Sequence, residues 1–85
     1  MFNIQRYQYS IFDHGEDPWP DCNGRPFCAT SDTDAARYVQ RRLIKATKNL
    51  READGYAVGD KICARVWDAR GILVTTLMVM AVGVE

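Results

Sequence analysis

A single long amphipathic pattern between Ser31 and Gly55 restricts the fold more than any other feature of the chain. Ala36, Val39, Leu43, Ala46, Leu50 and Ala53 recur at steps of three and four residues, which lays one apolar stripe along a helix. Arg37, Arg41, Lys45 and Lys48 fall on the opposite side, with Arg42 and Arg51 nearby. Ser31 and Asp34 offer side-chain oxygens to the backbone N–H groups that a first turn leaves unpaired. Asp32 and Asp34 also complement the helix dipole. Gly55 stands where a left-handed residue would close the last turn, so the pattern predicts a helix over residues 32–54. Its stripe needs a sheet to cover, because the other periodic segments are of β type.

The segment from Ile4 to Phe12 alternates Tyr7, Tyr9 and Ile11 with Arg6, Gln8 and Ser10, the period of a half-buried strand. Lys61 to Trp67 and Ile72 to Val82 are rich in branched residues and are joined by Asp68-Ala69-Arg70-Gly71, which predicts a hairpin with Gly71 at positive φ. In the last segment Ile72, Val74, Met78, Met80 and Val82 fall on one side, and Leu73, Leu77, Val79 and Ala81 on the other. A strand without a polar side is expected at the centre of its sheet or covered on both faces. One helix covers one face only, which leaves the second to a loop, a target or a second copy of the chain, and a homodimer is a natural expectation. The predicted fold is α+β in the order β-α-β-β, one amphipathic helix on a three-stranded antiparallel sheet. At 85 residues the chain forms a single domain, 1–85.

Between Asp13 and Thr30 the chain holds all three prolines, Pro18, Pro20 and Pro26, together with Gly15 and Gly24. This predicts a long irregular loop before the helix, and loops of such length are often functional. Asp13, Glu16, Asp17 and Asp21 surround Trp19, which two prolines stiffen. Exposed, Trp19 would anchor a partner; buried, it would form a lid on the sheet, with Trp67 packed under the same loop. Eleven basic residues balance eleven acidic ones. Residues 1–34 hold two basic against six acidic side chains, and residues 35–85 nine against five. The zero total argues against general nucleic-acid affinity, while the asymmetry allows two faces of opposite potential.

No glycine-rich phosphate loop and no nucleophile in a recognisable setting occurs, so neither an enzyme nor a cofactor is expected. His14, Cys22 and Cys28, with Cys63 as a further candidate, are ligand types that zinc prefers. The five-residue gap between Cys22 and Cys28 does not match the shorter spacing of zinc knuckles. Reduced thiols or a Cys22–Cys28 disulfide are the other readings. Three thiols cannot all pair within one chain, and no apolar run approaches the roughly 18 residues of a membrane span. A cytoplasmic location without membrane contact is the expectation.

The Asp13-His14-Gly15-Glu16-Asp17-Pro18-Trp19-Pro20-Asp21 loop, the helix from Asp32 to Asp54 and the closing hairpin together resemble the small inhibitors of phages and mobile elements, among them the anti-CRISPR proteins. That resemblance implies stoichiometric binding to a protein or ribonucleoprotein complex, blocking its nucleic-acid site or a moving part. Contacts are expected from the loop, with Asp13, Glu16, Asp17, Trp19 and Asp21, or from the basic row Arg37, Arg41, Lys45 and Lys48. The alternative is a nucleic-acid-binding accessory protein whose basic row follows phosphates. A third is a zinc-stabilised small domain.

Overall fold

A computed structural model describes residues 3–13 and 17–85. Strand β1 (Gln5–Phe12) is followed by β2 (Arg25–Ala29), helix α1 (Asp32–Thr47), β3 (Lys61–Asp68) and β4 (Leu73–Met80). Two short 3-10 turns, Pro20–Cys22 and Glu52–Asp54, lie in the connections. The strands form one antiparallel sheet in the order β2-β1-β3-β4. The helix lies on one face, chiefly across β3 and β4. Tyr7, Tyr9 and Ile11 of β1, Phe27 of β2 and Ile62, Ala64 and Val66 of β3 form the sheet side of the core. Ala35, Val39 and Leu43 of α1 close it from above. Among the described residues no helix is long and apolar enough to cross a membrane.

The α+β class holds, but the sheet has four strands rather than three. Residues 25–29, expected to be irregular, pair with β1 in the register Tyr7↔Phe27 and Tyr9↔Arg25. Pro26 is compatible with this because β2 is an edge strand, where one side has no ladder to lose. Phe27 supplies the reason to pair. Its ring stacks on Tyr38 of α1 at 4.5 Å and lies 5.6 Å from Tyr7, so β2 is held by an aromatic cluster under the helix. The irregular segment therefore ends at Gly24, which takes a φ of 63°.

The helix starts as expected: the Asp34 N–H donates to Ser31 Oγ at 3.1 Å. It ends at Thr47, seven residues before the expected boundary at Asp54. The reason lies at the far end of the chain. Glu85 N–H donates to the Leu50 carbonyl at 3.2 Å, and Glu52 N–H donates to the Glu85 carbonyl at 2.7 Å. These groups serve a distant partner instead of a further helical turn. Leu50 still reaches the core, whereas Ala53 is exposed. Gly55, at a φ of 91°, closes the Glu52–Asp54 turn instead of α1. The buried stripe is Ala35, Val39, Leu43 and Thr47, with Ala36 and Ala46 at its margins.

The hairpin forms where the sequence predicts it, with Asp68 Oδ1 accepting from the N–H groups of Arg70 and Ile72 and with Gly71 at a φ of 79°. Strand β4, however, is neither central nor covered on both faces: it is the outer edge. The register passes from Val66↔Thr75 to Trp67↔Leu73, so Val74 is an extra residue. This bulge changes the phase of the strand. Val74 packs toward the core with Leu77 and Val79, while Leu73 joins Met78 and Met80 on the outer face, unlike the simple alternation of the sequence.

Candidate binding surface

Alternation along each strand assigns one set of side chains to the sheet face opposite α1. The registers align this set into rows: Phe12, Cys63 and Met78; Ser10, Arg65 and Thr76; Gln8, Trp67 and Leu73. Arg6 beside Cys28 and Lys61 beside Met80 extend the face at opposite ends. Three cations, Arg6, Lys61 and Arg65, lie among these strand residues without a carboxylate. Leu73, Met78 and Met80 are 49, 53 and 54% exposed. The Arg65 guanidinium sits 4.7 Å above the Phe12 ring, fixing one cation on an aromatic platform.

Among the described residues the connecting loop reaches this face at two places, where Pro18 forms an antiparallel bridge with Phe12 and where its end covers Ser10. Gly24 N–H donates to Ser10 Oγ at 3.0 Å, and the Ser10 hydroxyl donates to Asn23 Oδ1 at 3.3 Å, which buries Ser10. Trp67 borders a shallow hollow of about 290 Å³ shared with Gln8, Asn23 and Gly71. The rest of the row from Phe12 to Met78 has no described segment over it.

Trp19 lies on the other side of the sheet. It is half-buried against the core, meets Tyr56 edge-on at 6.1 Å, and points Nε1–H at Asp13 Oδ2 from 3.5 Å. Tyr56 donates its hydroxyl to the same oxygen at 3.1 Å, and Trp19 N–H donates to the Ile11 carbonyl at 2.8 Å. Burial and the Asp13 carboxylate push the Tyr56 phenol up. Trp19 is thus a lid over the helix side of the core, and Trp67 does not share its cover. Asp17 and Asp21 are exposed; Glu16, with His14 and Gly15, lies outside the described residues.

Arg37, Arg41, Lys45 and Lys48 are exposed along α1, and Arg37 pairs with Asp34 at 3.8 Å. Their steps of four, four and three residues place them along one exposed side of α1 and its C-cap. Lys45 also joins Arg42 of its own helix, Arg25 of β2 and Asp21 of the loop around a cavity. Cys22 packs against the core, whereas Cys28 and Cys63 lie on the open face beside Arg6 and Phe12. Arg6 and Phe12 are separated by roughly 20 Å of extended β1. Among the described residues no three His, Cys, Asp or Glu side chains are grouped to hold a metal, and the three thiols are free.

Comparison of the chain with protein-family models, curated proteins and solved structures finds no match. The functional reading therefore rests on surface chemistry. Sequence reasoning expected one sheet face to lie beyond the helix's reach, but it placed the candidate contacts on the acidic loop and the basic row and none on that face. The usable signal was the mixed set Cys63, Arg65 and Trp67 on β3, opposite the buried Ile62, Ala64 and Val66.

Proposed function

We propose that the chain is a non-enzymatic binding module that acts stoichiometrically on a protein or ribonucleoprotein through the open face of its sheet. The observation that carries this reading is the uncovered row of Leu73, Met78 and Met80 beside cations that no strand carboxylate on that face balances. Half-exposed side chains of this size each gain on the order of 1 kcal/mol when a partner covers them. Trp67 and Arg65 are of the residue types that concentrate binding energy. The unbalanced cations steer the face toward an acidic rim on the partner, raising encounter rate and selectivity.

A protein surface fits better than a nucleic-acid strand for a chemical reason. Flexible thioether side chains adapt to irregular apolar surfaces, whereas bases need free aromatic faces, and Arg65 already occupies one face of Phe12. A stoichiometric binder of this kind also suits the resemblance to small phage inhibitors, in which the module blocks a site or a moving part.

The test is affinity capture from extracts of the source organism with the native chain and with Met78→Glu/Met80→Glu, in the presence and absence of nuclease. One protein or complex retained near one-to-one by the native chain, lost by a variant that melts normally, and indifferent to nuclease supports the reading. Unchanged retention by the variant removes the open face from the interface. Retention abolished by nuclease favours the nucleic-acid alternative.

A further inference from the structure

On the helix side of the sheet, we propose a second site, independent of the open face, that binds a small phosphate monoester. A cavity of about 250 Å³ opens between the Pro20–Cys22 turn, the start of β2 and the middle of α1. Tyr9, Cys22 and Tyr38 line its inner part, and Arg25, Arg42 and Lys45 stand around it against a single carboxylate, Asp21.

These cations are placed by rigid elements. Arg25 lies opposite Tyr9 in the β1–β2 ladder, and so shares its helix-side face. Lys45 follows Arg42 by three residues on α1, the spacing that brings helix side chains together. Arg42 Nε–H donates to the Tyr38 hydroxyl at 3.2 Å while its guanidinium carbon lies 5.3 Å from the ring centre. That anchor leaves the terminal N–H groups for a planar, two-point grip on an oxyanion. Among the described residues the ion pairs are Arg37–Asp34 and Arg70–Asp68, so none of the three cavity cations is neutralised by one. Three like charges around one hollow repel, and a divalent anion relieves that repulsion.

The cavity sets the ligand's size. At roughly 30 Å³ per water it holds a phosphoryl group with a few attached heavy atoms, below the usual range for a whole cofactor. Burial, with Asp21 beside it, pushes the Cys22 thiol up despite Arg25 and Arg42. The thiol therefore stays neutral at neutral pH and does not compete as an internal anion.

Inorganic phosphate and glycerol phosphate, titrated into the full chain at constant ionic strength and followed by amide and guanidinium NMR, test the site. Saturable shifts centred on Cys22, Arg25, Arg42 and Lys45, with half-saturation in the range of about 1 mM, are expected. Affinity should rise as pH passes about 6, where a phosphate monoester loses its second proton. Arg25→Gln/Arg42→Gln should weaken binding at least about tenfold, the loss expected for a charge-assisted two-point grip. Arg37→Gln/Arg41→Gln, on the same helix but outside the cavity, should leave it unchanged.

In a Cys28→Ser/Cys63→Ser background, bound phosphate should slow alkylation of Cys22 by disfavouring its thiolate. Linear, non-saturating shifts, equal losses in both arginine pairs, or an alkylation rate indifferent to phosphate would each overturn the proposal.

Discussion

Phe27→Ala probes the element whose strand character Pro26 and Gly24 conceal. Phe27 is 9% exposed and touches three other rings: Tyr38 at 4.5 Å, Tyr7 at 5.6 Å and Tyr9 at 5.7 Å. A buried phenyl ring removes roughly 150–250 Å² from water, which at about 25 cal/mol per Å² is worth roughly 4–6 kcal/mol. Alanine retains part of that area, and an edge strand can settle partly into the space, so the net loss is about 3–4 kcal/mol. For an 85-residue chain the total stability is about 4–13 kcal/mol. The variant should therefore lose from about a quarter to nearly all of its stability.

Urea unfolding followed by tryptophan fluorescence, together with a thermal melt, reads the effect. At about 4–8 °C per kcal/mol for a domain of this size, Tm should fall by roughly 12–32 °C. Cys28→Ala, one position along β2 on the exposed side, is the control and should stay within about 0.5 kcal/mol. A Phe27→Ala loss below about 1 kcal/mol would refute the reasoning, because only a loosely attached segment tolerates removal of so large a side chain.

Two further perturbations test how the ends of elements are tied. Tyr7 donates its hydroxyl to Asp32 Oδ1 at 2.8 Å, and burial followed by that bond pushes the phenol up to about 12. Folding thus favours the protonated phenol: its contribution is complete below about pH 10, the unfolded value, and is lost as pH rises through the folded value. Tyr7→Phe should cost about 1–2 kcal/mol at neutral pH and show a shallower decline above pH 10; parallel curves for the two proteins would contradict it. Gly55→Ala should cost about 1–2 kcal/mol because the residue sits at a φ of 91°, although no atom stands within 4 Å of the added carbon. Equal urea midpoints would show that this turn relaxes freely.

Local chemistry made several elements legible in the sequence. The Tyr7, Tyr9, Ile11 alternation, the Ser31 cap and the Asp68–Gly71 turn each depend on residues within a few positions of one another, and each forms as expected. The misread elements depend on distant partners. Residues 25–29 look broken because Pro26 disfavours a ladder, yet Phe27 finds rings on β1 and α1 that outweigh the proline. The apolar stripe runs past Thr47 in helical phase, yet the groups of Leu50 and Glu52 bond to Glu85.

The same limit hid the cavity. Arg25 and Lys45 meet around one cavity because β2 and α1 pack together, a relation that no local spacing records. Trp19 drew attention by composition, but its surroundings make it a cover for the core.

The placement of β4 ties these differences together. Inserting β1 between β2 and β3 pushes β4 to the rim, so a strand apolar on both sides lies where only one side is covered. The two edges of the sheet are then unequal. Strand β2 is five residues long and carries Arg25 and Pro26, both of which discourage pairing with another chain. Strand β4 is eight residues long, has no charged residue and no proline, and among the described residues its irregularity is the bulge at Val74. Natural sheets normally protect such an edge, because its backbone groups template association. An edge left open next to half-exposed Met78 and Met80 is therefore the part of the open face that gains most from being covered. A partner on this side can satisfy backbone groups and thioether side chains together, so the proposed interface centres on β4 and its row across Cys63 to Phe12.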